Sequence, residues 1–302
     1  MTLHDRKKNT NKGSESLYTH YASLETRIIT EAQSFFHLDK TGRYAFFALL
    51  LFAFNYLLPI LLANVYYNDD LARSYFGYLG WRQDGRPLME IPYFLLNNSR
   101  NQVGDFSPWM QIFATGIFSY CLTLFGRKLM PKASWFCLFT AVACVYFNFF
   151  MLENLSYRYD AFGMLLALSL PFAAFSLPDK WPATSKALLL SLLFLCSLSL
   201  YQATIGAYVG LLFFGATVRI SHDEPLTNIG KEILWQCIAL GMGAFIYKFF
   251  NSVIFDCINR RKFTVCTDFF YHLLGILLPP HRTSRPLRDS AKSSAGWLSR
   301  QS

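Results

Sequence analysis

From Tyr44 to Tyr66 the chain carries no charged side chain. That stretch limits the fold more than any other feature. A bilayer core of about 30 Å is crossed by about 20 helical residues, and a helix satisfies its backbone polar groups within its own segment, as lipid requires. Trp109–Phe125, Ala133–Leu152 and Ala161–Leu177 are uncharged too, and Ile233–Phe255 contains only Lys248. Ala187–Val218 is also uncharged. As one helix it would run about 48 Å, too long for a single crossing without strong tilt. Tyr201-Gln202, with Thr204 and Gly206 beyond, is the expected point of reversal. The pattern predicts an all-α integral membrane protein, a multi-span bundle of about seven spanning helices, with a long first loop at 67–107.

Composition agrees. Of 302 residues, 53% are hydrophobic and 16% charged, where a soluble domain averages about 25% charged. The net charge of +9 sits mainly near the start, in loops between apolar blocks and near the end, which points to membrane topology and away from nucleic acid. Lys40 and Arg43 precede the first span, Arg127, Lys128 and Lys132 follow the second, and Lys180 follows the fourth. The positive-inside rule places these ends in the cytoplasm and loops 67–107 and 153–160 together on the far face.

Residues 1–43 read as a cytoplasmic basic segment. Within it Leu24, Ile28, Ile29, Ala32, Phe35 and Phe36 recur at helical spacing, the pattern of an amphipathic helix on the membrane surface. Residues 44–255 form the membrane domain, and 256–302 a polar, basic tail. Its abrupt Ser/Arg-rich character is what a frameshift or early stop leaves behind, so a shortened, inactive form is the expectation. The seven cysteines lie mostly in apolar blocks and read as small buried hydrophobes. The six dispersed histidines offer no metal-ligand spacing.

Three polar clusters can carry chemistry. Tyr66-Tyr67-Asn68-Asp69-Asp70-Leu71-Ala72-Arg73 follows the first span and leads to Trp81-Arg82-Gln83-Asp84-Gly85-Arg86-Pro87. Adjacent carboxylates at the water–lipid boundary supply a general base for a hydroxyl, and arginines hold a phosphate bidentately. A structural reading competes. Asn68 caps a helix with Asp69 and Asp70 in its first turn, Arg73 pairs with them on the surface, and Asp84-Gly85 is a turn. The second cluster, Glu153-Asn154-Leu155-Ser156-Tyr157-Arg158-Tyr159-Asp160, shares the outer face with Asp69, where tyrosines can also serve as interfacial anchors. The third, Tyr201-Gln202, faces outward if the chain reverses there; a glutamine bridging helices is the alternative.

Taken in order, Tyr-Asn-Asp-Asp-x-x-Arg, Trp then Asp-Gly-Arg-Pro-Leu, Asn-Leu-Ser-Tyr-Arg-Tyr-Asp and Leu-Tyr-Gln resemble the serotype-converting O-antigen glucosyltransferases of enteric bacteria and their prophages, over roughly residues 40–260. The resemblance implies a GT-C-like enzyme of the bacterial inner membrane with a periplasmic first loop. The implied donor is undecaprenyl-phosphate-glucose, the acceptor a sugar of lipid-linked O-antigen, and the partners a small flippase and a bactoprenol glucosyltransferase encoded nearby. No cofactor is implied. Asp69 or Asp70 takes the base role, and Arg73, Arg86 and Arg158 hold donor phosphate or orient carboxylates. Trp81, Asp84, Glu153, Asp160, Tyr201 and Gln202 complete the candidate site. A membrane transporter or lipid flippase, or an inactive membrane fragment of the transferase, remains the alternative.

Overall fold

The computed structural model describes residues 36–97, 102–178 and 181–259. The chain divides into two units, Met1–Asn251 and Ser252–Ser302; of the second, only the end of the last helix, to Asn259, is described. The expected amphipathic helix before Phe36 and the tail beyond Asn259 lie outside the described residues. Every regular element among the described residues is a helix, and the first unit is a helical membrane bundle.

Helix α1, Lys40–Ala63, begins at Asp39, whose carboxylate accepts from the Gly42 amide, and ends at Asn64 in the left-handed conformation. It buries Ala45, Leu49, Ala53 and Leu57. That four-residue spacing is one helix ridge. Phe47, Leu51, Phe52 and Phe54 stay exposed, as suits a helix with protein on one side and lipid on the other. The long loop that follows contains α2 (Asp70–Phe76), a 3-10 turn (Pro87–Met89) and α3 (Glu90–Asn97). Helix α4, Trp109–Leu129, is the buried centre and packs mainly on α7, Ala161–Phe175.

The third expected span is not continuous. Helix α5, Trp135–Tyr146, and α6, Phe149–Ser156, meet at a 65° bend. The physical reason is Asn148. Its side chain accepts from the Met151 amide at 2.9 Å and restarts the helix, while its carbonyl takes the Tyr56 hydroxyl at 3.0 Å. The fourth span is shorter than expected, because α7 stops at Phe175 after 15 residues. Among the described residues five helices are long and apolar enough to cross a membrane, or six if the bent pair is one span.

The expected reversal at Tyr201 is present. Helix α8, Ala183–Leu200, stops there, and a 3-10 turn, Gln202–Thr204, leads into α9, Ile205–Ser221. The buried Ser197 hydroxyl sits 2.8 Å from the Thr204 hydroxyl and donates to the Ala167 carbonyl at 2.9 Å. The last described helix, α10, is Leu226–Asn259. Its Glu232 meets Lys186 at 3.5 Å and Arg219 at 3.6 Å. The start of α8, the end of α9 and the start of α10 therefore share one end of the bundle. That end is basic. Arg127 pairs with Asp39 at 2.6 Å, and Lys128 donates to the carbonyls of Phe175 and Leu177. Among the described residues the cysteines are not core residues: Cys137, Cys144 and Cys237 are exposed on the bundle, and Cys121 and Cys196 are half-buried. A membrane bundle can face lipid with the small apolar side chains that a soluble fold would bury.

Candidate functional site

At the end opposite the basic one, the first loop, the 157–160 turn and the Tyr201 break converge. Asp160 lies at their centre, just before α7, where a helix N-terminus favours negative charge. Its Oδ1 accepts from Trp81 Nε1 at 2.6 Å, and its Oδ2 meets Arg73 Nη1 at 2.8 Å. Arg86 Nη1 approaches Oδ1 at 3.5 Å. The Arg73 guanidinium lies 3.9 Å from the Trp81 ring centroid and 5.3 Å from that of Tyr78. Arg73, Trp81 and Asp160 are all buried. The surface pairing expected between Arg73 and Asp69 or Asp70 therefore does not form. Arg73 turns inward because Asp160 and two aromatic faces offer a charge-assisted bond and cation–π contact in a dry setting.

Asp70 is fully buried. Its Oδ2 accepts from the Arg158 amide at 2.6 Å and its Oδ1 from the Tyr159 amide at 3.4 Å. Burial lifts its carboxyl to about 6, Asp160 adds to the rise, and the two amides and Arg73 oppose it. Asp69 stands at the N-cap position of α2, is exposed and makes no side-chain capping bond. Asn68 takes a left-handed backbone conformation instead of capping, and its amide donates to the Tyr157 hydroxyl at 3.4 Å. The structure thus separates the two carboxylates: Asp70 braces the 157–160 turn, and Asp69 is open.

The three arginines separate as well. Arg73 is enclosed. Arg158 donates to Asn64 Oδ1 at 2.6 Å, pairs with Asp105 at 2.8 Å and lies over Tyr66, so its guanidinium ties the end of α1 to the loop. Arg86 keeps a quarter of its side chain exposed. Its Nε donates to Gln202 Oε1 at 3.1 Å, and its guanidinium lies 5.2 Å from the Tyr201 ring centroid. Gln202 in turn donates to the Asp84 carbonyl at 2.8 Å, and the Tyr247 hydroxyl of α10 donates to the Gly85 carbonyl at 2.9 Å. The Asp84-Gly85 turn forms as the sequence suggested, with Gly85 at φ 74°. A side chain there would meet Tyr247 at 2.7 Å. The Asp84 and Glu153 carboxylates stand exposed on the rim, Glu153 close enough to Tyr201 to act on it electrostatically.

Sequence reasoning missed the supports. Glu90 is buried and accepts from the Arg82 amide at 3.1 Å while pairing with Arg82 Nε at 2.5 Å. Burial raises its carboxyl, against the pull of Arg82. Tyr93 stacks on Trp81 at 4.9 Å and donates to the Tyr159 carbonyl at 2.5 Å. A lone carboxylate in the apolar run Leu88-Met89-Glu90-Ile91-Pro92-Tyr93 was a usable signal for the first; Tyr247 had none, since it sits in an expected span. Among the described residues no group of three or more His, Cys, Asp or Glu side chains is placed to hold a metal ion.

Comparison with known proteins bears on this arrangement. No solved structure matches the chain. A protein of Salmonella phage P22, described as an uncharacterized 55.3 kDa protein in the gtrB 5′ region, is 28% identical over 198 residues. The match covers 65% of this chain and 40% of that relative. Residues 58–258 match the family described as glucosyl transferase GtrII, a range that contains every member of the site from Asn64 to Tyr247. The chain belongs to the GtrII glucosyl transferase family.

Proposed function

We propose that this end of the bundle transfers glucose from undecaprenyl-phosphate-glucose to a hydroxyl of a lipid-linked O-antigen sugar. The acceptor oxygen attacks the glucose anomeric carbon, the bond from that carbon to phosphate oxygen breaks, and undecaprenyl phosphate leaves. The acceptor proton passes to Asp69, and the open side of the Arg86 guanidinium takes the charge left on phosphate. The single observation that carries the assignment is the contrast at Asp69 and Asp70. Both oxygens of Asp70 are occupied by backbone amides, whereas Asp69 is exposed and uncommitted. The site end is periplasmic in this reading, because the opposite end collects Lys40, Arg127, Lys128, Lys132 and Lys186. The membrane is the bacterial inner membrane, the chain's partners are a small flippase and a bactoprenol glucosyltransferase, and no cofactor takes part.

The test pairs donor binding with transfer. The chain is expressed with both partners in a strain carrying a suitable O-antigen, and the lipopolysaccharide is weighed. Binding of undecaprenyl-phosphate-glucose to the purified chain is measured alongside. Asp69→Asn is expected to leave donor binding intact in this chain and, made in a full-length relative or a repaired version of this chain, to lower transfer by about 10²–10⁴-fold. A chain that neither distinguishes the glucosylated donor from undecaprenol nor adds hexose ends the proposal. Full transfer in Asp69→Asn ends the assignment of the base.

A further inference from the structure

The basic end of the bundle holds a second feature, independent of the glucose site. A cavity of 710 Å³ opens among the ends of α4, α7 and α9 and the starts of α8 and α10. Its size lies within the range of small-molecule sites, about 300–1,000 Å³. Its walls include the buried apolar side chains Phe125, Leu190, Leu211, Leu212 and Ile229. Its charged members are Lys128, Lys132, Lys186 and Arg219 against the carboxylates Glu224 and Glu232, with His222 beside them. Lys186 and Arg219 share Glu232, and Arg219 also reaches Glu224 at 3.8 Å. Cations therefore outnumber carboxylates at the mouth, and Lys132 is exposed there.

A soluble polar ligand gains nothing from apolar walls, and a neutral hydrocarbon gains nothing from the cations. An anionic amphiphile matches both, and the place is right: basic pockets between spanning helices at the membrane surface suit phosphate headgroups. We infer that this cavity binds an anionic phospholipid, with the headgroup phosphate among Lys132, Lys186 and Arg219 and the acyl chains against the apolar walls. The lipid would fill the space between α4 and α7 on one side and α9 and α10 on the other, and of these α9 and α10 bury little of their surface against protein.

Gly215 lines the cavity, and a Cβ added there meets no atom within 4 Å. Gly215→Leu therefore starts its side chain in open space and puts its bulk into the cavity, and leucine favours the helix over glycine; thermal unfolding of the variant, run beside binding, separates loss of binding from loss of folding. The purified chain in neutral detergent is titrated with phosphatidylglycerol, with phosphatidylcholine of the same acyl chains, and with inorganic phosphate, and bound lipid is read by native mass spectrometry. Phosphatidylglycerol is expected to bind at least 10-fold tighter than phosphatidylcholine, and inorganic phosphate not to displace it. Gly215→Leu should weaken phosphatidylglycerol by 10-fold or more, and Lys132→Gln by about 3–10-fold. No retained lipid, equal binding of both lipids, displacement by inorganic phosphate alone, or unchanged binding in Gly215→Leu each overturns the inference.

Discussion

The two ends of the bundle hold charge in opposite ways. At the site end, Arg73 and Asp160 leave only 5% and 8% of their side chains exposed, and each has an aromatic or amide partner besides. At the basic end, Arg127 and Asp39 pair in the open, at 24% and 47%. Ions in the first group have lost most of their water and depend on one another. Those in the second keep water as an alternative partner. A buried pair is not by itself a source of stability, since desolvation cancels much of the attraction. Its value lies in fixing positions. Here it joins α2, the Trp81–Arg86 turn and α7 into one frame, against which Asp69 and the open side of Arg86 are presented.

The largest expected effect tests that frame. Asp160→Asn keeps the shape but leaves the Arg73 charge buried without its carboxylate, at a cost of about 3–5 kcal/mol. Chemical unfolding in mixed micelles measures it. A loss below 1 kcal/mol would mean that the site end is no more interdependent than the basic end.

Next comes pH. The Asp70 carboxyl is raised to about 6 by burial, above an unfolded value near 3.9. The native chain then holds the extra proton between those values, so this contribution is complete below about pH 4 and is lost as pH rises through about 6. The span corresponds to on the order of 3 kcal/mol. Glu90 is raised as well and acts in the same direction. Stability should fall from pH 4 to 7, and Asp70→Asn should flatten most of that slope while Glu90 retains the rest. An unchanged slope would show that Asp70 is hydrated.

A smaller effect is expected at Gly163, where α7 meets the 3-10 turn. A Cβ there falls 1.9 Å from the Met89 sulfur, so Gly163→Ala must push Met89 aside, at about 1–3 kcal/mol. Because Pro87–Met89 follows Arg86 directly, donor binding should weaken along with stability. Reduced stability with donor affinity intact would separate the turn from the site.

How much of this the sequence disclosed follows from the range of each interaction. The helical, apolar character of the bundle was legible because lipid imposes a local rule on every residue, and the reversal at Tyr201 followed from length together with the polar residues there; the number and continuity of the spans did not. Asn148 was overlooked because one amide among aromatics looks apolar on average, yet it caps α6 and bends the third span. The candidate residues are gathered at one end of the bundle, around Asp160. Their division was not legible, because whether Asp69 or Asp70 points inward depends on the amides of Arg158 and Tyr159, contacts some 90 positions away along the chain. Tyr247, which meets Gly85 162 positions away along the chain, escaped for the same reason; Glu90 did not, since its partner Arg82 lies eight positions away and its place in an apolar run was a local signal.

The smallest expected effect lies at the basic end and tests the other half of the contrast. Arg127 meets Asp39 with two nitrogens, Nε at 3.0 Å and Nη2 at 2.6 Å, and donates to the Met130 carbonyl at 3.1 Å. On geometry alone this pair rivals Arg73–Asp160. Exposure decides against it, because an ion pair open to water contributes about 0–1 kcal/mol, and salt screens it with a Debye length of about 10 Å at 0.1 M. Asp39 also caps α1 through the Gly42 amide, a bond that Arg127→Gln leaves in place. Arg127→Gln should therefore cost under 1 kcal/mol, and raising salt to 1 M should remove most of that difference while leaving the Asp160→Asn penalty nearly unchanged. If Arg127→Gln instead costs as much as Asp160→Asn and resists salt, headgroups exclude water at the basic end as thoroughly as protein does at the site end. The two ends would then differ in what surrounds their charges and not in how strongly those charges are held.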